Sequence, residues 1–291
     1  MRISDNMRFS IVQAQLANLS AQQLEAARRS STGLRVGSPS DDPISAAEIT
    51  RLEGSLRRVE AFQDTVRITR GDAATAENAL AAAQSLFVRA RELAMQGANE
   101  TLTGNDRLNL ASVVGALREE FVAIMNTKGS KGYLFGGSQT DAEPFASDGT
   151  FSGDDYQHRL EISPGVVARV NVSGAQAFTA AGGIDAMDVL DSLYNALDAD
   201  DTDLITNTLG QIDAANQQII DAQADAGLLI NRLDTADVTL EQSHITLSAR
   251  KGEVGDANPF ESITELSSLS SSIEQAIAVA RLTLSQNLSR F

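Results

Sequence analysis

The feature that most constrains the fold of this chain is an apolar residue at every seventh position between residues 205 and 247. The repeat consists of Ile205, Ile212, Ile219, Ala226, Leu233, Leu240 and Leu247. A companion set lies three residues further on and includes Ala215, Ala222, Leu229 and Ala236. A spacing of seven keeps one face of an α-helix against a partner helix for about 60 Å at 1.5 Å per residue. The repeat therefore predicts a long helix in a bundle or coiled coil.

The composition agrees with a helical protein and excludes several chemistries. Aromatic residues make up 4% of the 291 residues, and Trp and Cys are absent. Such a chain builds its core from Leu, Ile, Val and Ala, as long helical bundles do. The lack of Cys rules out disulfides, thiolate metal sites and a Cys nucleophile. The formal net charge of −16 argues against a nucleic-acid partner, because phosphate attraction requires a basic surface.

No segment of the sequence has the pattern of a secretory signal or a membrane span. The N-terminal residues mix polar and apolar side chains at helical spacing and contain no continuous apolar run. We therefore expect no membrane insertion. The chain is either cytoplasmic or exported by a route that needs no cleaved signal peptide.

Helices are predicted on both sides of the middle of the chain. An amphipathic helix starts near the N-terminus and ends at Gly33, which takes a left-handed conformation at low cost. Asp42 can cap the next helix, and Pro43 suits its first position. That helix continues to Gln96, and residues 97–104 form a loop. Asn105 or Asp106 caps a third helix, and the last helix begins after Pro259.

The pattern changes at about Gly129, where Gly, Asp, Ser and aromatic residues replace the Ala-rich helices. Residues 156–162 and 166–172 alternate in polarity, and residues 163–165 read as a turn, so the segment predicts a β-hairpin. This region ends near Phe178, and Asp185 is expected to cap the helix that follows. We expect the helices to fold even when the insertion is replaced by a short Gly-Ser linker.

These elements define a mainly α fold with a small β-rich insertion domain in the middle. The N- and C-terminal parts of the chain form a long antiparallel helical bundle or coiled coil. We divide the chain into terminal helices (1–40 and 260–291), a long-helix bundle (41–128 and 185–259) and an outer insertion (129–184).

One acidic cluster, residues 198–203, has some resemblance to a calcium loop. Such a loop needs a Gly at its sharp turn and a Glu at its far end. Asp203 occupies the position of the Gly and Leu209 that of the Glu. A solvated loop that caps a helix explains the cluster better.

Two further groups contain residue types that occur in catalytic or cofactor sites. Asp154, Asp155 and His158 could belong to a triad, but no nucleophile elbow accompanies them, and turn residues of a hairpin explain them better. The Gly-rich segment 132–138 lacks the Lys-Ser/Thr pair of a phosphate loop and the spacing of a dinucleotide fingerprint. We predict no catalytic, cofactor-binding or metal-binding residue and no enzymatic activity.

Several segments resemble those of the flagellin-like superfamily of axial proteins. Segment 31–43 is similar to its N-terminal block, and segment 88–99 is similar to its helical segment. Segments 133–140 and 150–155 look like those of the hook-associated junction members. The residues that carry the resemblance are Asp41, Asp42, Pro43, Arg91, Glu92, Leu93, Phe135, Gly136 and Gly137.

The resemblance implies an extracellular structural subunit at the junction between flagellar hook and filament. Such proteins leave the cytoplasm through the type III export apparatus with the help of a chaperone. Their terminal helices then form an inner coiled-coil tube, and the insertion lies outermost. The implied partners are further copies of the chain in a ring or helical assembly, another hook-associated junction protein and flagellin. The implied function is mechanical, the transmission of torque.

Subunit contacts are expected on the apolar stripes of the terminal helices. The candidates are Ile3, Met7, Ile11, Leu19, Leu266, Leu269, Ile273, Ala280, Leu284 and Leu288. Two alternatives stay open. A flagellin would share the terminal helices and the 91–93 segment, although the 135–140 and 41–43 segments argue against it. A cytoplasmic coiled-coil tethering protein would explain the heptads but not the insertion.

Overall fold

The structure is a computed structural model that describes the backbone of residues 5–288 and the side chains of residue 7 and residues 10–282. The helices are α1 (Asp5–Thr32), α2 (Pro43–Gly97), α3 (Gly104–Met125), α4 (Gly174–Phe178), α5 (Ala186–Asp198), α6 (Thr202–Gly255) and α7 (Pro259–Leu288). The strands are β1 (Lys128–Gly129), β2 (Gly132–Tyr133), β3 (Arg159–Ser163) and β4 (Val166–Arg169). The predicted mainly α fold with a small β insertion is confirmed.

The chain forms two compact units. The terminal unit contains the chain up to Arg58 and from His244 onward, and the central unit is Val59–Ser243. The helices α2 and α6 have 55 and 54 residues, and each contributes to both units. The predicted division into three parts follows the layers of an assembly and stays a prediction.

The heptad positions of α6 face the core of the central unit. Every repeat position from Ile205 to Leu240 is buried, and so is Ala215. Thr208 interrupts the apolar seam but donates its hydroxyl to the carbonyl of Ile205 at 2.7 Å. Because that bond satisfies the hydroxyl within the helix, the seam tolerates a polar residue. The long helix predicted from the repeat is confirmed and extends further at both ends.

Local capping chemistry sets the other helix ends. The predicted cap of α5 is confirmed, because Asp185 accepts hydrogen bonds from the amides of Met187 and Asp188. The predicted cap of α3 is wrong. Thr103 is the N-cap residue, and it forms a capping box with Asp106, whose carboxylate accepts from the Thr103 amide at 3.1 Å. This reciprocal pair satisfies two amide groups at once, which a single Asn or Asp cap does not.

The insertion contains two antiparallel two-stranded sheets, β1–β2 and β3–β4. The predicted hairpin is confirmed as β3–β4, with Gly165 at φ +77° in its turn and a bulge between Glu161 and Ser163. Its strands are shorter than predicted. The amides of Tyr156 and His158 bond to side chains of Asp154 and Asn171 instead of a strand ladder. The short helix α4 was not predicted.

Aromatic rings join the insertion to the helices of the central unit. Phe121 of α3 meets Phe87 of α2 at 5.3 Å between ring centroids and Phe178 of α4 at 5.6 Å. Phe178 also contacts Phe135 at 5.1 Å and Phe145 at 5.9 Å, each pair edge to face. All five rings are buried in one core cluster. The shared core speaks against the expectation that the helices fold without the insertion.

Candidate assembly surface

In the terminal unit α1 and α7 pack side by side, and we call them the terminal pair. Gln23 Nε2 donates to Ser270 Oγ at 3.0 Å. Further along α1, Arg29 Nη1 lies 3.8 Å from Glu265 Oε2. Residues later in α1 thus contact residues earlier in α7. The two helices are therefore antiparallel, as the sequence predicts for the N- and C-terminal parts.

Most predicted subunit-contact residues with described side chains are only half-buried in the chain itself. They are Leu19, Leu266, Leu269, Ile273 and Ala280. Two helices cover only one side of each other, so apolar side chains at the margin of their contact stay partly open to solvent. These residues therefore stabilise the terminal pair and leave apolar area uncovered.

Met7 and Ile11 are the predicted contact residues that lie on the surface. Their side chains are 56% and 58% exposed. Both can take part in contacts with another molecule without a change in the terminal pair. The predicted residue Ile3 lies outside the described part of the chain. The side chains of Leu284 and Leu288 also lie outside it, although the backbone of both belongs to α7.

The sequence prediction missed several apolar residues on the surface of the terminal unit. Leu24 is 74% exposed, Phe260 is 85% exposed, and Ile44 and Ile263 are also exposed. Leu24 follows Leu19 by five positions, which breaks the three-and-four spacing of a single stripe. This change of spacing in the sequence could have indicated that Leu24 lies on a second apolar face of the helix. Exposed apolar groups on neighbouring helices are typical of protein interaction surfaces.

Two short segments pair beside the terminal pair, and we call residues 33–43 together with 254–257 the crossover clasp. The Arg35 amide donates to the Gly255 carbonyl at 2.8 Å, and the Ala257 amide donates to the Gly33 carbonyl at 2.8 Å. Gly33 has φ +70°, which lets the chain leave α1 at its C-terminal end. The clasp therefore ties the end of α1 to the connection between α6 and α7.

Asp41 holds the first half of the crossover clasp together. Its carboxylate accepts from the amides of Gly37 and Ser38 at 3.0 and 2.9 Å and from Arg28 Nη2 at 2.9 Å. The Arg28 guanidinium, followed by the bonds from Ser38, holds the pKa of Asp41 well below its usual range. The hydrogen bond to Glu25, followed by that to Asp41, raises the pKa of Arg28. Both groups are charged at neutral pH.

Asp42 and Pro43 start α2 in the predicted way. Asp42 Oδ1 accepts from the amides of Ile44 and Ser45, each at 3.1 Å, and bonds from Ser45 lower the pKa of this carboxyl. Pro43 is the first residue of the helix, where a backbone amide would have no hydrogen-bond partner within the helix, so its absence in proline costs nothing. The 41–43 segment therefore has a structural role in the clasp.

The 91–93 segment combines one core residue with two charged surface residues. Leu93 is buried in the central core. Arg91 Nε donates to Asp213 of α6 at 2.8 Å, and Glu92 accepts from Arg89 at 2.9 Å. The segment therefore contributes to the packing of α2 in the central unit and to the charge pattern of its surface.

The Phe135-Gly136-Gly137 segment is explained by close packing. Phe135 is fully buried among the aromatic rings. A side chain at Gly136 would overlap the carbonyl of Gln139, and one at Gly137 would overlap Asp154. Gly137 also has φ +67°. Only glycine fits at these two positions, because a backbone carbonyl occupies the space of a side chain: that of Gln139 in the same turn at Gly136, and that of Asp154 at Gly137.

The acidic residues of segments 198–203 and 154–155 have structural partners. Asp201 caps α6 by accepting from the Leu204 amide at 3.0 Å, and Asp200 pairs with buried Arg107. Asp154 accepts from the Ser138 amide at 2.8 Å, and the Ser138 hydroxyl also donates to this carboxylate, which lowers its pKa. Among the described side chains, those of residue 7 and residues 10–282, no group of three His, Asp or Glu is placed to hold a metal ion.

His158 likewise lacks the arrangement of a catalytic base. Its Nε2 lies 3.0 Å from the Gly137 carbonyl oxygen, which can only accept, so Nε2 carries the hydrogen. Asp155 bonds to Ser173 and Gln176, with Gln176 Nε2 at 3.2 Å. The side chains of the suspected triad are thus held in separate contacts of the insertion.

The structure combines an antiparallel pair of terminal helices that carries exposed apolar residues, two long helices and a middle insertion, as expected from the resemblance to flagellin-like proteins. In agreement with this, residues 3–140 match the family of bacterial flagellin N-terminal helical regions. The flagellin-like resemblance inferred from the sequence segments is therefore confirmed.

Relatives with curated functions narrow this class. The chain is 27% identical over 180 residues to flagellar hook-associated protein 3 of Salmonella typhimurium, which covers 61% of the chain and 57% of that protein. It is 24% identical over 277 residues to flagellar hook-associated protein 3 of Escherichia coli, covering 92% of the chain and 84% of that protein. The predicted similarity to hook-associated protein 3 is confirmed. Flagellins are also among the relatives.

The fold has a solved counterpart. The crystal structure of FlgL from Bacillus cereus superposes with a TM-score of 0.62 at 20% identity, covering 69% of this chain and 99% of that one. This likeness supports the fold. No helix in the described part of the chain is long and apolar enough to cross a bilayer.

Proposed function

We propose that this chain is the structural subunit that joins the flagellar hook to the filament and transmits torque between them. The observation that carries the proposal is the terminal pair, whose exposed apolar residues extend over both α1 and α7. The similarity to hook-associated protein 3 over most of the chain supports this role. The protein is an extracellular component of the flagellum in this proposal.

The terminal pair suits a mechanical function because its surface can bury further apolar area. Fully burying a Leu, Ile or Phe side chain stabilises a contact by about 1.5–3 kcal/mol. Met7, Ile11, Leu24 and Ile263 are each more than half exposed in the isolated chain. Copies of the chain that cover these residues would form a coiled-coil ring or tube without making or breaking a covalent bond. No catalytic step is part of this function.

The partners follow from this position in the flagellum. The chain would contact further copies of itself, another hook-associated junction protein on one side and flagellin on the other. Export would proceed through the flagellar type III apparatus with a chaperone and without a cleaved signal peptide. The predicted contact residues of the terminal helices would lie at these interfaces, with Met7 and Ile11 available from the start.

The substitution Ile263→Asp tests the proposal. Ile263 is exposed, so an Asp there leaves the fold of the monomer intact but would be buried without a partner in the assembly. Ile273 is a poorer choice because it is half-buried and a charge there would also disturb the chain itself. In a strain that lacks the native protein, we expect Ile263→Asp to be exported and folded but to leave hooks without filaments.

Ser268→Asp is the matched control, because it places the same charge on an exposed polar position of α7 that faces away from Ile263. We expect it to restore filaments. Electron microscopy of the strain without any copy also separates the two flagellar roles. Bare hooks with flagellin shed into the medium indicate a junction protein, whereas hooks without shed subunits indicate a flagellin. Normal filaments with Ile263→Asp would contradict the proposed contact surface.

A further inference from the structure

Polar pairs at heptad intervals hold the two long helices of the central unit in one register. The pairs are Gln63 with Glu241 at 3.1 Å, Arg70 with Asp234 at 3.2 Å, and Arg91 with Asp213 at 2.8 Å. From one pair to the next, a step of 7 or 21 positions along α2 is matched by the same step in the opposite direction along α6. Pairs of this kind on the flank of a helical seam specify which residues of two helices face each other.

Between the two arginine pairs the register has no such support. It places Glu77 opposite Gly227, and a Cβ atom at Gly227 would lie 3.9 Å from Glu77 Oε1. The Glu77 carboxylate forms no hydrogen bond or ion pair with a described residue. Seven positions further along α2, Gln84 faces Ile220 in this register, and Ile220 has no polar side-chain group. A stretch of about 30 Å, at 1.5 Å per residue, is therefore without a polar pair of this type.

Gly227 weakens α6 within this stretch, and no neighbour requires a glycine there. The nearest atom to an added Cβ lies at an ordinary van der Waals distance, so Ala would fit. A Gly inside a helix disfavours the helical state about fivefold relative to Ala, because its backbone loses more conformational freedom. The glycine therefore favours local unfolding of α6 at this position.

The apolar seam beside the glycine consists of small side chains. Ala226 is the one Ala of the heptad repeat, and Ala73 and Ala76 are buried in the facing turn of α2. A recess of about 240 Å³, lined by both of these α2 residues and by Leu229, lies at the same level. Because an Ala buries less apolar area than an Ile or a Leu, the contact between α2 and α6 is stabilised less here than elsewhere along the seam.

We propose that residues 74–81 of α2 and 223–230 of α6 form a yielding segment, in which the two helices open locally while the polar pairs on both sides keep the register. Regions with few apolar contacts and weak helices open at a lower free energy than the rest of a fold. Such an opening lets the central unit bend under load without slippage of α2 along α6. The proposal concerns the chain by itself, so it does not depend on a role at the hook–filament junction.

The experiment is native-state hydrogen exchange of the full chain, followed by mass spectrometry. Residues 223–230 should exchange faster than residues 212–219 of the same helix, where the heptad positions are Ile. Gly227→Ala should slow exchange in 223–230 about fivefold, the factor by which Ala favours the helix. Gly210→Ala is the matched control, because Gly210 is an exposed glycine of α6 with no atom within 4 Å of an added Cβ. It should leave exchange in 223–230 unchanged, since a local opening does not involve position 210.

A second pair of variants tests the missing polar contact. Gly227→Arg supplies a cation opposite Glu77 and should slow exchange in 223–230 about twofold beyond Gly227→Ala, the size expected for an exposed ion pair. Adding Glu77→Gln to Gly227→Arg should remove this further factor and leave the effect of the lost glycine.

Three results would overturn the proposal. Equal slowing of 223–230 by Gly210→Ala and Gly227→Ala would show that this segment opens only together with the whole central unit. Exchange in 223–230 as slow as in 212–219 would show that the segment is no weaker than its neighbour. No gain from Gly227→Arg over Gly227→Ala would show that the register lacks no pair at this position.

Discussion

Phe178 is the residue through which the insertion and the helices of the central unit share one core. It is 1% exposed, and its ring meets Phe121, Phe135 and Phe145 at centroid distances between 5.1 and 5.9 Å. Phe178→Ala removes all three ring contacts and leaves a cavity that the surrounding rings fill only in part. Buried Phe→Ala substitutions cost about 3–5 kcal/mol, and the three ring contacts keep Phe178 away from the lower end of that range. We expect a loss of about 4 kcal/mol.

The assay is urea unfolding followed by far-ultraviolet circular dichroism. Stabilities of single domains are about 5–15 kcal/mol, so a loss of this size shifts the midpoint of the central unit clearly. Tyr156→Ala is the surface control in the same insertion, and we expect a change within about 0.5 kcal/mol there. The double variant with Phe121→Ala should show a coupling of about 1 kcal/mol, because the two rings are in direct contact.

Two results would refute this reasoning. A loss below about 1 kcal/mol for Phe178→Ala would mean that the insertion and helices do not depend on a shared core. The original expectation that a Gly-Ser linker can replace the insertion would then be correct. Strict additivity of Phe121→Ala and Phe178→Ala would mean that the edge-to-face contact contributes nothing beyond burial.

Other residues allow sharp tests as well. Arg107 is 5% exposed and donates to the carbonyls of Gly97 and Asn99, each at 2.8 Å. Arg107→Met should therefore lower the free energy of unfolding by about 3 kcal/mol and speed hydrogen exchange of the amides in residues 97–104. Unchanged exchange would contradict this expectation. Asp41 has a lowered pKa in the folded chain, so its carboxylate stabilises the folded state at pH values above its ordinary pKa of 3.8. This contribution is lost as the pH falls below that value. Asp41→Asn should reduce this acid sensitivity of thermal unfolding of the terminal unit, and an unchanged pH profile would contradict it. Gly137→Ala should lower the free energy of unfolding in urea by about 2 kcal/mol or more, because φ is +67° and the added methyl group meets Asp154. An unchanged free energy would contradict the left-handed backbone conformation at this residue.

The helical part of the fold was predictable because its signals are local and periodic. The spacing from Ile205 to Leu247 identifies α6, and Gly33, Asp42 and Pro43 mark helix ends through the chemistry of their own backbone groups. The cap of α3 was missed by a few positions. Thr103 and Asp106 act as a reciprocal pair, and the choice between neighbouring polar residues depends on which backbone amides become free.

The insertion and the assembly surface were less predictable because they depend on distant residues. Tyr156 and His158 lie in a segment that alternates in polarity like a strand. Their backbone amides nevertheless donate to the side chains of Asp154 and Asn171 and not to a neighbouring strand. The apolar stripe of the terminal helices was visible in sequence. Which of its members stay exposed depends on how α1 and α7 face each other, and this separates Ile11 from Leu19. Leu24 and Phe260 lie off the stripe, so periodicity alone did not single them out.

The antiparallel arrangement of the terminal pair has a consequence for the order of folding. Gln23 and its partner Ser270 are separated by 247 positions, so this contact closes one of the longest loops in the chain. Contacts of such separation bear a large closure entropy and form late, after local helices and the central core. During synthesis, α1 emerges long before α7 is available to it. The apolar side of α1 is then uncovered for most of that time, and it stays open to contacts with other molecules until the chain closes on itself.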